Sequence, residues 1–346
     1  MTINSAANSP QSAISSNKGQ KSKVSGVILI DKPKGLTSQQ VVSKVKYLLK
    51  SPVHDSRKAG HTGTLDPMAT GLLPVCLGEA TKFSHYQLDA DKAYQATIKL
   101  GVQTDTGDAE GQTIAEKEIP AISEEDLAQV TNQFLGDINQ VPPMYSALKK
   151  EGKKLYEYAR AGIEVERDAR TITIKQLTLK QGKAEDELLL NVTCSKGTYV
   201  RVLGEDIAQA LGTVGHLTAL RRTQVGHFDI KHAIGLDELE EQTHELRMAQ
   251  LQDIDACISG VSSLVVTNEQ CERLLMGQRL NVKPQLDEAL IEYLTTKLAK
   301  GQSLDSEEAE AERSCGIRLF NTEGAFLGLG QLQLNGRLQP KKMIQR

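Results

Sequence analysis

The sequence predicts an α+β protein: a mixed, mainly antiparallel sheet flanked by helices, followed by a small β-rich C-terminal domain. Three observations predict it. Two stretches alternate apolar and polar residues with the period of a half-buried strand, Tyr94, Ala96, Ile98 and Leu100 in one and Leu188, Leu190, Val192 and Cys194 in the other. Two others gather their apolar residues on one helical stripe: Val41, Val42, Val45, Leu48 and Leu49, then Leu203, Ile207 and Leu211. Strands and helices interleave without regular βαβ spacing, and alternation returns near the C-terminus on both sides of a turn.

From the N-terminus, residues 1–24 read as a disordered tail, rich in Ser, Asn and Gln, with Lys18, Lys21 and Lys23 but no apolar core of a secretory signal. Gly26 to Ile30 is a buried strand that ends in the turn Asp31-Lys32-Pro33-Lys34-Gly35. Thr37 with Gln40 is a capping-box signature opening the first helix. Thr171 to Leu177 is a weaker third strand. After Cys194 the chain passes Ser195 to Thr198 and enters a helix that Gly212 stops, so Tyr199 and Arg201 stand at a strand-to-helix junction. Such junctions are held rigidly by the scaffold and favour binding and chemistry. About residues 285–314, with a Glu-rich run, read as an exposed acidic insertion, helical at its start and mobile later. Gly316 to Phe320 and Ala325 to Gly330 flank the turn Asn321 to Gly324, which makes a hairpin.

The 346 residues exceed one ordinary domain and divide into residues 25–250 and 251–346. Hydrophobic residues make up 39% and charged residues 25%, and the mean hydropathy is −0.34. No run approaches the ~18 apolar residues needed to span a bilayer, so a cytoplasmic protein without membrane contact is expected. The five cysteines include no C-x-x-C pair and the seven histidines no zinc-like spacing, which argues against disulfides and a structural metal. Trp is absent, so stacking on a ligand falls mainly to eight Tyr and five Phe. The formal charge of −3 conceals a separation of sign. Lys18 to Lys58 holds ten basic and two acidic side chains, while His232 to Arg313 holds 17 acidic and 7 basic. A basic face of this kind can meet a polyanion, although a solvated Lys-rich helix with a tail gives the same count.

The stretch Ala59 to Pro74 holds three glycines and two prolines, too many for a regular element. His61, Thr62, Thr64 and Asp66 are interleaved with small residues that allow close approach of a ligand. The residues alone imply a ligand loop with one carboxylate; Asp66 before Pro67 also suits an ordinary turn or helix N-cap.

The loop has company. GVILIDKPKG at 26–35, GHTGTLDPMATGLL at 60–73, DKAYQATIKLGVQTDTG at 91–107, VPPMYSALKKEGKKLYEYAR at 141–160, KGTYVRVL at 196–203 and GHLTALRR at 215–222 closely resemble, in order, the TruB family of tRNA pseudouridine synthases. The resemblance covers nearly the whole chain. It implies a pseudouridine-synthase-like sheet, a PUA-like C-terminal domain from about Ser263, and isomerisation of uridine 55 in the T arm of tRNA without any cofactor. It implies Asp66 as the essential carboxylate, attacking the ribose or the base or assisting proton transfer at the sugar, with Arg201 as its cationic partner. Tyr94 then lies against the target base and can take or relay a proton, Tyr199 lines the same pocket, and Leu220 forms its apolar wall. His61 supports the flipped-out base, with no metal ligated. Lys32, Lys34, Lys149, Lys150, Lys153 and Lys154 are expected to contact phosphates. The last four lie in an RNA-clasping insertion at 142–170 that is disordered until RNA orders it. A monomer with no obligate protein partner is expected. The rival readings are an RNA chaperone without essential catalysis and a synthase for another RNA; a pure binder has no need of the Asp66 and Arg201 pair.

Overall fold

The computed structural model describes residues 21–299 and 313–345. One sheet of ten strands organises the larger part: β1 (Gly26–Lys32), β2 (Ala59–His61), β3 (Thr70–Leu77), β4 (Lys92–Leu100), β5 (Gly136–Gln140), β6 (Arg170–Gln181), β7 (Glu187–Cys194), β8 (Gly215–Val225), β9 (Phe228–Asp229) and β10 (Ile234–Gly235). The lateral order is β10-β1-β3-β8-β4-β7-β6-β5, with β2 added beside β3 and β9 beside β8. Only the β10–β1 and β3–β8 pairs are parallel, so the sheet is mixed and mainly antiparallel, as expected.

Alternation in β1 sends successive residues to opposite faces. Ile28 and Ile30 pack with Leu73 and Val75 against helix α1 (Ser38–Leu48), whose Val41, Val42, Val45 and Leu48 are buried and whose N-terminus carries the Thr37–Gln40 capping box. Farther along the sheet, Leu203 and Ile207 of α3 (Val200–Ala210) and Leu127 and Val130 of α2 (Glu124–Phe134) join Ile98, Leu100, Leu188 and Leu190 in a second core. Burying one such aliphatic side chain contributes about 1.5–3 kcal/mol, which fixes α3 and therefore the junction at its start.

The other face of β1 and β3, with Val27, Leu29, Leu72 and Cys76, is covered by Phe83, Phe228 and Ile258 and by Phe326, Leu329 and Ile344 from the C-terminal part. That part is a five-stranded sheet of β11 (Ser263–Val265), β12 (Leu280–Asn281), β13 (Ser314–Phe320), β14 (Phe326–Gln333) and β15 (Arg337–Met343), in the order β11-β13-β14-β15-β12. The expected hairpin is β13–β14.

Four expectations need correction. The tail expected through residue 24 stops sooner, because Ser22–Lys23 pairs with His54–Asp55 and Val24 is buried in the α1 core; residues 1–20 lie outside the described residues. The acidic insertion starts with the expected helix, α4 (Glu288–Ala299), but that helix is packed instead of exposed: Leu290, Leu294 and Leu298 are buried. The expectation of mobility at 300–312 lies outside the described residues. The stretch 59–74 is irregular only at 62–69, since β2 and β3 take its ends. Gly71 stands in β3 at φ 103°, where a Cβ would lie 2.2 Å from the Arg222 carbonyl oxygen, so glycine there permits the close parallel neighbour instead of breaking the strand. Finally, the insertion expected to lack structure without RNA takes regular structure: Lys149–Lys150 pairs with Lys153–Lys154, Leu155–Arg160 is helical with Leu155 buried, and Lys154 and Arg160 lie over the Tyr156 ring.

Candidate active site

Asp66 sits in the loop between β2 and β3, and its neighbours explain why the loop is fixed. Leu65, Met68 and Ala69 are buried in the core beneath α3 and pin the chain on both sides of the carboxylate. Ser38 Oγ donates to the Leu65 carbonyl and accepts from its amide. The Gly35 amide donates to the Pro67 carbonyl at 2.8 Å. Arg222, a fully buried cation on β8, donates from Nε to the Leu72 carbonyl at 2.8 Å and from Nη2 to Gly63 at 3.0 Å. A buried guanidinium needs its donors met, and the carbonyls of Gly63 in the loop and Leu72 in β3 meet them.

Arg201 arrives from the first turn of α3, 95% buried, and its Nη2 lies 3.0 Å from Asp66 Oδ2. The same nitrogen donates to the Tyr145 carbonyl at 2.8 Å. Nη1 donates to the Thr106 carbonyl and stands 3.5 Å from Asp108 Oδ2. One guanidinium therefore bridges two carboxylates of different character: Asp108 is buried, whereas the Asp66 side chain keeps 42% of its exposure and faces the cavity. One charge-assisted contact, from Nη2 to Oδ2, orients the Asp66 carboxylate.

The cavity is about 360 Å³, and Asp66, Tyr94, Tyr199, Arg201 and Leu220 all line it. Tyr94, on the central strand β4, lies between Arg222 of β8 and Val192 of β7 in the sheet register. Burial pushes its phenol up, and burial does the same to Tyr199; both hydroxyls stay protonated at physiological pH. Tyr199 is the N-cap of α3, and Gln140 grips its backbone from both sides, accepting from its amide at 2.8 Å and donating to its carbonyl at 3.2 Å. Lys92 also lines the cavity, with its ammonium spent on the carbonyls of Gln87, Leu88 and Ala90 and its pKa pushed down to about 8 by burial.

Seven expected site residues, His61, Lys32, Lys34, Lys149, Lys150, Lys153 and Lys154, lie outside the cavity lining. His61 ends β2, and its Nδ1 accepts from the Gly63 amide at 3.3 Å; burial, and then Arg222, hold its imidazole low and therefore neutral. Lys149 is exposed on the hairpin of the insertion. Lys32 is corrected: it is fully buried, and its ammonium donates to the carbonyls of Leu36 at 2.7 Å, Pro33 at 3.0 Å and Pro67 at 3.4 Å, which removes it from any phosphate. Burial pushes its pKa down to about 8 against the pull of Asp66 and Glu110. It braces the turn after β1 against the Asp66 loop.

Sequence reasoning missed Arg222, Asp108 and Ser38 as parts of the site. Arg222 carried a signal: two residues beyond Leu220 in a strand, it shares the inward face, where a cation needs buried partners. Asp108 in a Gly-rich turn and Ser38 within a helix start carried none.

Family models match most of the chain: the N-terminal domain of TruB family pseudouridylate synthase over residues 50–200, the tRNA pseudouridylate synthase B C-terminal domain over 201–266, and the C-terminal model of pseudouridine synthase II TruB over 289–344. The chain belongs to the TruB family of pseudouridylate synthases. This TruB chain is 60% identical to the tRNA pseudouridine synthase B of Psychrobacter cryohalolentis, over 96% of this chain and 97% of the relative. It is 45% identical to that of Aromatoleum aromaticum, over 94% of each. The fold is shared with a chain of an H/ACA ribonucleoprotein solved with a substrate RNA containing 2′-deoxyuridine, at a TM-score of 0.64 and 21% identity over 93% of this chain and 85% of that one. The TruB chain is thus an isomerase of the pseudouridine synthase class.

Proposed function

We propose that this chain converts uridine to pseudouridine in tRNA, at position 55 of the T arm, by extruding the base into the cavity beside Asp66. The observation that carries this reading is the Asp66–Arg201 pair lining a cavity walled by two tyrosines and Leu220. The relatives named tRNA pseudouridine synthase B support tRNA as the substrate, and tRNA places the enzyme in the cytoplasm. The reaction breaks the bond from ribose carbon 1 to N1, turns the uracil, joins the same ribose carbon to C5, and exchanges the C5 proton for one on N1. The ribose or base needs an aimed carboxylate, and the turning base needs a neutral, apolar enclosure; Asp66 and the Tyr94–Tyr199–Leu220 walls supply these. Stacking on an aromatic ring contributes about 1–3 kcal/mol toward the few kcal/mol that base extrusion costs.

The test follows tritium released from tRNA labelled at uridine C5. Wild-type protein releases one tritium per tRNA at position 55, and Asp66→Asn releases none while binding tRNA with nearly unchanged affinity. Release by Asp66→Asn at the wild-type rate defeats the assignment. Absence of release by the wild type favours the RNA chaperone.

A further inference from the structure

The cations around the cavity are already committed: Arg201 to two carboxylates and two carbonyls, Arg222 to loop carbonyls and Lys92 to the end of a helical turn. One buried side-chain group that lines the cavity is not. Ser146 is 94% buried, and its Oγ makes no hydrogen bond. The Tyr199 phenol lies beside it, but the pair does not reach hydrogen-bonding geometry. The backbone of Ser146 cannot drift to relieve this. Its amide donates to the Met144 carbonyl at 2.9 Å and its carbonyl accepts from the Tyr156 amide at 3.1 Å. Its neighbour Tyr145 accepts from Arg201 through its own carbonyl. The hydroxyl is thereby fixed relative to Asp66 through a chain of two contacts, Tyr145 to Arg201 and Arg201 to Asp66.

A buried hydroxyl whose neighbouring phenol is poorly aligned for a hydrogen bond gains from a better-placed partner that a ligand brings. We infer that the Ser146 hydroxyl hydrogen-bonds the polar edge of the extruded pyrimidine and holds the base in the cavity during the rearrangement. This rests on the reading of the cavity as a uridine site. A uracil edge offers two carbonyl oxygens and one N–H, and a serine hydroxyl both donates and accepts. Turning the ring end for end exchanges its two carbonyls and leaves N3–H in place, so the hydroxyl can keep a hydrogen bond to the same edge before and after the turn.

The experiment compares wild type, Ser146→Ala and Tyr199→Phe in single-turnover tritium release, tRNA affinity and thermal unfolding. For Ser146→Ala the expected result is a conversion rate about tenfold lower, the equivalent of one net hydrogen bond. Its tRNA affinity stays within about twofold, because most of the affinity comes from backbone contacts elsewhere. Its Tm is unchanged or higher, since the free protein loses only an unpaired group. An unchanged rate overturns the inference. So does a lowered Tm shared with Tyr199→Phe, which would mean the hydroxyl serves the protein and not the base. A wild type that releases no tritium overturns the parent reading and this one with it, and so is distinguishable from failure of Ser146 alone.

Discussion

Ser38 and Leu65, 27 residues apart, exchange two hydrogen bonds: Ser38 Oγ donates to the Leu65 carbonyl at 3.0 Å and accepts from the Leu65 amide at 2.8 Å. The first turn of α1 thereby holds the backbone immediately before Asp66, and both partners are buried. Ser38→Ala strands a buried N–H and a buried carbonyl, at a cost of about 1–3 kcal/mol. The expected outcome is a lower Tm together with faster amide exchange at Leu65, with tRNA affinity little changed. Wild-type protection at the Leu65 amide in the variant would show that the brace is unimportant.

Arg201 supplies a second prediction. Its two terminal nitrogens serve Asp66 and Tyr145 on one side and Thr106 and Asp108 on the other. A lysine carries the same charge but cannot divide it between two fixed directions. Arg201→Lys is expected to lower the single-turnover rate by roughly 100-fold or more, in the range seen when a preorganised electrostatic donor is lost. Asp108→Asn, which weakens only the far side, should cost less. Equal rates for Arg201→Lys and wild type would remove the guanidinium geometry from the mechanism.

The buried lysine beneath the loop makes stability depend on pH. Burial pushes the Lys32 pKa down to about 8, below the ordinary lysine value of 10.5. Between those values the unfolded chain binds more protons than the folded one, so the free energy of unfolding rises with pH, by up to about 1.4 kcal/mol per pH unit for one group. Lys92 adds a share over the same window. Chemical denaturation at pH 8 and pH 10 should show a steeper rise for wild type than for Lys32→Met. Identical slopes would mean that the Lys32 ammonium keeps its ordinary pKa inside the fold.

Elements with strong local periodicity were legible in the sequence. β4, β7, α1 and α3 follow from spacing alone, because each buries one face and the chain repeats the code along it. Asp66, Tyr94, Tyr199, Arg201 and Leu220 were named through motif resemblance, and the fold brings all five to one cavity. What stayed hidden was long-range. A lysine in a turn looks solvated until 35 residues later Pro67 returns to cap it, and α4 was read as exposed because the Glu-rich run that follows it coloured the reading of the whole segment. Asp108 and Ser146 become visible only when the turns that hold them close on Arg201 and on the cavity, a property of packing that no local window contains.

The contrast between buried and exposed lysines gives the last prediction. Lys149, Lys150, Lys153 and Lys154 project from a short hairpin whose base is fixed by Leu155 and by the Ser146–Tyr156 backbone contact. If this hairpin tracks an RNA backbone, each lysine that meets a phosphate releases condensed counterions, and the dependence of log affinity on log salt steepens by about 0.7–0.9 per contact. Lys150 already donates to the Glu166 carbonyl at 2.6 Å, so its share is expected to be the smallest. Replacing all four with Ala should therefore shallow the salt slope of tRNA binding by about two to three. Lys32→Met should leave that slope unaltered, because its ammonium is sealed under the loop. A slope that responds to Lys32 and ignores the hairpin would place the RNA on a different face of the protein.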